Sequence, residues 1–116
     1  MKMQHIAIAI QLLNNPKYVT NQTITINHFD NGAGVPFKVK NLDEVFIFYV
    51  NENTLQIVLN YDNNIQGILE IDELMDINMY IRDKKSKTRF VALQLRQSIL
   101  AKLGQIAMDV LTLCKV

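Results

Sequence analysis

The segment from residue 80 to residue 96 carries the densest positive charge in the chain, together with two aromatic residues. Its candidate binding residues are Tyr80, Arg82, Lys84, Lys85, Lys87, Arg89, Phe90 and Arg96. Aromatic rings can stack on the bases of a single-stranded nucleic acid while lysine and arginine side chains contact its phosphates. The segment therefore predicts a binding site for RNA or single-stranded DNA. The alternative is a solvated turn at the tip of an edge hairpin, where lysines oppose aggregation.

The nucleophilic and metal-ligating side chains do not predict an enzyme. Cys114 lies on an apolar helical stripe, so we expect it to pack in the core. His5 and His28 fall on opposite faces of a predicted N-terminal hairpin and therefore cannot bind one metal ion within it. We expect no catalytic residue, no metal site and no cofactor.

Two pairs of adjacent carboxylates, Asp43–Glu44 and Asp72–Glu73, also fail to predict acid–base chemistry. Neighbouring side chains on a strand point to opposite faces, so each pair is interpreted as a solvated turn or a helix start. The Gly32–Gly34 loop lacks the glycine spacing and the Lys-Ser/Thr of a phosphate-binding loop. Binding rather than catalysis is therefore the expected activity.

Charge is strongly segregated along the chain, although the net charge is only +1. Residues 1–40 hold four lysines and one aspartate, whereas residues 41–81 hold eight acids and neither Lys nor Arg. Residues 82–102 hold seven bases and one aspartate, and the remainder balances one lysine against one aspartate. Either these segments neutralise one another in the fold, or the protein presents a basic pole to a polyanion.

Alternation of apolar and polar residues predicts strands through about residue 71. The predicted strands cover residues 6–13, 18–28, 37–40, 45–50, 54–61 and 65–71. Pro16 marks the turn between the first two, because proline disfavours helix at the preceding residue. The nearly continuous apolar run over 45–50 indicates a strand buried on both faces. Three-residue connections join the last three strands and are too short for parallel crossovers, so we expect an antiparallel meander.

Residues 72–97 fit either a further hairpin or helical structure, and we favour a strand for 75–82. In the hairpin, residues 75–82 pair with 90–97 so that Ile81 opposes Val91. That register sets Arg82, Tyr80, Asn78 and Asp76 opposite Phe90, Ala92, Gln94 and Arg96 on one face. This face would be the nucleic-acid platform. In the other structure, the stripe of the C-terminal helix begins early, through Ala92 and Leu95.

A helix over about 98–114 is predicted by apolar residues repeating at steps of four and three from Ile99 onward. Ser98 is the expected N-cap, and Gly104 is expected to mark close packing against the sheet. A second apolar stripe follows Leu100 and Leu111. Because a small sheet covers one stripe, the other favours a homodimer through helix 98–114.

These observations predict one α+β domain spanning residues 1–116: a small curved antiparallel sheet, or a partly closed barrel of about six or seven strands, with a long C-terminal helix packed on it. We expect a small, non-enzymatic regulatory protein that binds RNA or single-stranded DNA. The alternative is a protein-interaction or homo-oligomerisation module that uses the helix. A single cysteine and no apolar run of membrane-spanning length favour the cytoplasm and no membrane partner. The many Asn, Ile and Lys residues are typical of AT-rich bacterial or mobile-element genes.

Overall fold

An open sheet of antiparallel strands, joined in sequence order, forms the centre of the computed structural model. The structure describes residues 2–21, 23–30, 32–61, 64–81 and 89–114. In these residues the strands are β1 (Tyr18–Val19), β2 (Val35–Val39), β3 (Val45–Val50), β4 (Leu55–Tyr61), β5 (Asn64–Ile71) and β6 (Ile77–Ile81). The helices are α1 (Lys2–Leu13), α2 (Asn27–Asp30) and α3 (Arg89–Cys114). The α+β class and the packed C-terminal helix are confirmed, and the sheet is open rather than closed into a barrel.

The predicted meander is confirmed in β3 to β5, and β6 confirms the strand expected within 75–82. Short turns set its register. The Asn51 N–H donates to the Thr54 carbonyl at 2.9 Å, and this turn lets Val50 pair with Leu55 at the start of the β3–β4 ladder. Tight turns and alternating side chains therefore fix the pairing of neighbouring strands.

One face of the sheet, here called the core face, forms the hydrophobic core. The ring of Phe37 stacks on the rings of Phe46 and Phe48, with centroids 5.5 and 4.5 Å apart. Phe29 of α2 meets Phe48 edge to face, so α2 also packs on this side. The prediction that residues 45–50 are buried on both faces is wrong, because Ile47 and Tyr49 are only half-buried on the opposite, outer face.

The strand predicted over 6–13 is wrong, because residues 2–13 form α1. Alanines fill the positions between Ile6, Ile8 and Ile10, and Leu12 and Leu13 follow Gln11, so the apolar residues satisfy a helical period equally well. Ile6, Ala9 and Leu12 share the buried helix face. Pro16 lies three residues beyond the end of α1, a position where proline is common because it cannot continue a helix.

The strand predicted over 18–28 is limited to Tyr18–Val19, which pair with Val39 and Lys38 of β2. Local hydrogen bonds compete with pairing farther along this segment. The Thr25 N–H donates to His28 Nδ1 at 3.0 Å, and the Thr25 carbonyl accepts the His28 N–H at 3.1 Å. These bonds begin the single turn of α2 and use backbone groups that a strand would pair.

The hairpin between 75–82 and 90–97 does not form, because residues 89–97 belong to α3. This stretch is rich in Leu, Ala, Gln and Arg, which have high helix propensity. Extending an existing helix adds one hydrogen bond per residue without a new nucleation step. The helix therefore begins at Arg89 rather than at the predicted cap, Ser98.

Helix α3 lies close against the sheet at Gly67 of β5. A Cβ atom at Gly67 would lie 2.8 Å from both Ile99 Cγ2 and Leu103 Cδ1, closer than carbon atoms pack. Gly104 was the expected contact, but a Cβ there would meet nothing within 4 Å. Gly67 rather than Gly104 therefore allows α3 to seat on β5 and β6.

We expect opposite effects on stability from alanine at these two glycines. Gly67→Ala overpacks buried side chains and lowers the free energy of unfolding by about 1–3 kcal/mol. Gly104→Ala adds a methyl group in open space within a helix and raises it by about 0.5–1 kcal/mol. Denaturant unfolding of both variants measures this difference. Equal stabilisation by the two substitutions would show that α3 does not depend on the space at Gly67.

Candidate functional site

Tyr80 lies on β6, at an edge of the sheet, and exposes 52% of its surface. The strand registers place it on the outer face, in a row that continues through Ile68 and Val58 to Ile47. Ile68 and Ile47 are half-buried, and Val58 is buried between its neighbours. The outer face thus carries an apolar row that ends at an exposed aromatic ring.

The neighbouring row of the outer face is polar and includes a carboxylate. It runs from Asn78 through Glu70 and Gln56 to Tyr49. Gln56 Nε2 donates to Glu70 Oε2 at 2.9 Å, which holds the carboxylate in place. The ring of Tyr49 lies against Gly34, where a Cβ atom would come within 2.8 Å of ring carbon Cε1. Tyr49 is therefore packed on its own sheet, whereas Tyr80 presents its ring to solvent.

The structure places only part of the predicted binding site. Four of its basic residues lie outside the described residues, namely Arg82, Lys84, Lys85 and Lys87. Arg89, Phe90 and Arg96 lie on the first turns of α3, where the backbone is described and the side chains are not. The basic residues between 82 and 88 therefore connect the end of β6 to the start of α3.

The predicted platform is corrected by the helical conformation of residues 89–97. Tyr80 does not oppose Ala92, and Asn78 does not oppose Gln94. Their actual cross-strand neighbours are Ile68 and Glu70 of β5. The described surroundings of Tyr80 are therefore apolar and acidic. Alternation along residues 65–71 was the signal for these two neighbours, since it puts Ile68 and Glu70 on one face.

One ion pair between described side chains joins the acidic segment 41–81 to the basic segment 82–102. Lys102 of α3 donates to Glu44, just before β3, and both side chains are largely buried. Burial alone would raise the pKa of Glu44. The hydrogen bonds from Lys102 and from backbone N–H groups outweigh this effect and lower the pKa of Glu44 below its ordinary value. At this ion pair, a positive charge of the basic segment neutralises a negative charge of the acidic segment.

A second polar cluster ties β1 to the C-terminal half of α3. The Tyr18 hydroxyl donates to Asp109, and Lys17 Nζ lies 3.1 Å from the same Oδ2 atom. Burial and the neighbouring carboxylate raise the pKa of Tyr18 well above its ordinary value. The phenol therefore stays protonated and acts as a structural hydrogen-bond donor.

The adjacent carboxylates do not form acid–base pairs. Asp72 Oδ1 accepts the N–H groups of Leu74 and Asp76, each at 2.9 Å, and so closes the turn between β5 and β6. Met75 adopts a φ of 66° in this turn. Glu73 beside it is exposed. Each carboxylate therefore has a structural or solvated position.

The two histidines serve separate structural roles. His5 is fully buried on α1, and its Nε2 donates to the Asp72 carbonyl at 3.1 Å, which leaves Nδ1 without a hydrogen-bond partner. His28 Nδ1 accepts the N–H of Thr25. The N-terminal hairpin that was predicted to separate them is wrong, because residues 2–13 form α1. The described residues contain no cluster of three or more metal-ligating side chains, and the side chain of Cys114 lies outside them.

A surface groove of about 460 Å³ lies between the end of α1 and the chain that follows β1. Its lining residues are Ile10, Leu13, Asn14, Thr20, Asn21, Thr23 and Ile24. Because this set contains no titratable group, the groove offers no general acid or base that could activate a threonine hydroxyl. Within the described ranges, each helix is too short or too polar to cross a bilayer.

The Glu44–Lys102 pair predicts a specific pH dependence. A lowered pKa in the folded state stabilises the protein above the unfolded-state pKa and loses this effect as the pH falls through the folded-state pKa. Glu44→Gln should therefore cost about 1–3 kcal/mol at pH 7 and flatten the fall in stability toward acid pH. Urea unfolding between pH 3 and pH 7 measures both quantities. Asp43→Asn is the matched control, because Asp43 is exposed; an equal effect of that control would contradict a specific ion pair.

Comparison with known proteins identifies no relative of this chain. No protein family, curated protein or solved structure matches it. Function must therefore be argued from the residues of the site themselves.

Proposed function

We propose that this chain is a small non-enzymatic binding protein that contacts RNA or single-stranded DNA through Tyr80 and the basic segment 82–89. The position of Tyr80 is the main support for this proposal. Its half-exposed ring stands on the outer face of an edge strand, two residues before the densest positive charge in the sequence. A ring in this position can stack on a base while the following lysines contact the adjacent phosphates.

The charges around Tyr80 restrict the path of such a ligand. Glu70 lies on β5 in the neighbouring row of the outer face, and the acidic segment supplies β3 to β6. A phosphate backbone crossing the sheet would approach these carboxylates. The strand is therefore proposed to follow the end of β6 toward the basic segment, with a base resting on Tyr80 and Ile68. In this proposal the protein acts in the cytoplasm as a regulator of nucleic acid.

A protein partner is the second candidate, because α3 leaves part of its apolar surface uncovered. Ile99, Leu103, Ile106 and Val110 are buried on the sheet side of the helix. Outside this stripe, Leu100, Met108 and Leu111 expose 42%, 65% and 40% of their surfaces. Apolar side chains at this spacing on one helix suit a hydrophobic protein surface better than a nucleic acid.

Salt dependence of oligonucleotide binding tests the electrostatic half of the proposal. We expect a labelled single-stranded oligomer to bind with a log–log salt slope of about −0.7 per neutralised phosphate. The double substitution Lys84→Ala and Lys85→Ala should weaken binding and make that slope shallower by about 1.4. Lys38→Ala with Lys40→Ala removes the same charge elsewhere and should leave both quantities near wild type. Fluorescence anisotropy measures the dissociation constant at salt concentrations from about 20 to about 300 mM, a range over which the screening of charges changes strongly.

Tyr80 variants test the stacking half of the proposal. Tyr80→Ala should weaken binding about 5- to 150-fold, equivalent to the 1–3 kcal/mol of a stacked base, while leaving the salt slope unchanged. Tyr80→Phe keeps the ring and should bind like wild type. Absence of any anisotropy change with wild-type protein at low salt would refute the nucleic-acid proposal and favour the surface of α3.

A further inference from the structure

Among the described residues β6 is an edge strand, and its own sequence lacks the charges and proline that usually protect an edge. Its five residues, Ile77–Ile81, contain no charged residue and no proline. Met79 exposes 43% and Tyr80 52% of their surfaces. Among the described residues no strand pairs with its outer edge. The other edge strand, β1, is only two residues long, so it offers little backbone for pairing. Uncharged edges of this length readily accept another strand.

We propose that a second copy of this chain pairs with β6 in antiparallel orientation about a two-fold axis at Met79. Each sheet then continues into the other, and the free backbone groups of both edges form a new ladder. The axis is perpendicular to the sheet, so both helix layers lie on one side of the joined sheet. This inference depends on the edge alone and is independent of the proposed function.

The sequence of β6 suits its own antiparallel copy. Centred on Met79, the pairing sets Met79 opposite Met79 of the second copy and Ile77 opposite Ile81 of the second copy. These apolar side chains share the core side of the sheet, where Ile77 and Ile81 are half-buried. On the outer face, Asn78 meets Tyr80 of the second copy. Apolar and aromatic residues thus form the cross-strand pairs, without like charges in contact.

The charges that bound β6 in the sequence are complementary under the same symmetry. Asp76 precedes the strand by one residue, and Arg82 follows it by one residue. In the sequence both residues are three positions from Met79, so antiparallel pairing about Met79 directs the acidic flank of one strand toward the basic flank of the other. The two-fold axis makes this match twice. Charge complementarity therefore favours a second copy of the chain over an arbitrary strand.

The short length of β6 limits the affinity expected between the two copies. Two five-residue strands bury less surface than a standard interface, and small interfaces of this kind form weak complexes. The dimer should therefore dissociate in the micromolar range. Sedimentation velocity of the wild-type protein from about 5 to 500 μM covers that range.

A pair of methionine substitutions distinguishes the strand from the helix. Met79→Lys sets two like charges against each other at the axis and should raise the dissociation constant at least tenfold. Met108→Lys places the same charge on the exposed surface of α3 and should leave the dimer intact. Thermal unfolding of each variant checks that the fold is kept. A wild-type protein that stays monomeric at 500 μM overturns the proposal, as does dissociation by Met108→Lys but not by Met79→Lys.

Disulfide cross-linking tests the register without removing the contact. In a Cys114→Ser background, Met79→Cys places two cysteines opposite each other, at a separation that antiparallel pairs and disulfides share. Ile77→Cys in the same background faces Ile81 of the second copy instead, so its cysteines lie several residues apart. Mild oxidation should cross-link the Met79→Cys protein at least tenfold faster. Equal rates, or faster cross-linking of Ile77→Cys, overturn the proposed register.

Discussion

The close seating of α3 on the sheet depends on the absence of a side chain at Gly67. This residue lies between Leu59 of β4 and Ile81 of β6 in the register, so the helix contacts the sheet next to its last strand, β6. Ile99 and Leu103 fill the space above it. The same helix then reaches Glu44 through Lys102 and Tyr18 through Asp109. A single small residue thus sets the position of the element that connects both ends of the sheet.

The core face and the outer face consequently differ in what they can do. The core face takes aromatic rings, aliphatic side chains and helices, whereas the outer face carries an apolar row beside a row that contains Glu70. Three carboxylates of the acidic segment, Glu44, Glu70 and Asp72, accept hydrogen bonds from Lys102, Gln56 and backbone N–H groups. The densest positive charge of the chain lies in sequence just beyond β6. An anionic ligand would meet attraction there and repulsion over the neighbouring strands.

The strands from residue 35 to residue 81 could be predicted because short turns and alternation agree there. Residues 2–13 and 89–97 could not be assigned from periodicity, because apolar residues fill both the strand and the helical positions. In the first case the burial of Ile6, Ala9 and Leu12 on one helix face decides for helix, and in the second case continuity with a long helix does so. Nothing in the sequence distinguishes Gly67, where α3 packs tightly on the sheet, from Gly104 within α3, where an added Cβ would meet nothing within 4 Å.

In the candidate site, too, the local sequence predicted the strand that holds Tyr80, whereas the neighbours of Tyr80 depended on the tertiary structure. Exposure of Tyr80 next to the basic segment followed from alternation in β6, but its partners depended on whether residues 90–97 paired with it. Once those residues are helical, β5 is the strand left to flank β6 in the described structure, and Ile68 and Glu70 become the neighbours. An error in one element thus changed the chemistry expected around a correctly placed residue.

Pairing with a second copy uses the backbone groups of β6, whereas stacking on a ligand uses the Tyr80 side chain of the same strand. Backbone hydrogen bonds to a second copy run within the plane of the sheet, whereas the ring of Tyr80 projects from the outer face. Antiparallel pairing about Met79 would set two Tyr80 rings on that face, one on each side of the axis and each beside Asn78 of the other copy. Self-association would then enlarge the aromatic surface instead of covering it. The free edge and the exposed ring of β6 are therefore compatible within one assembly.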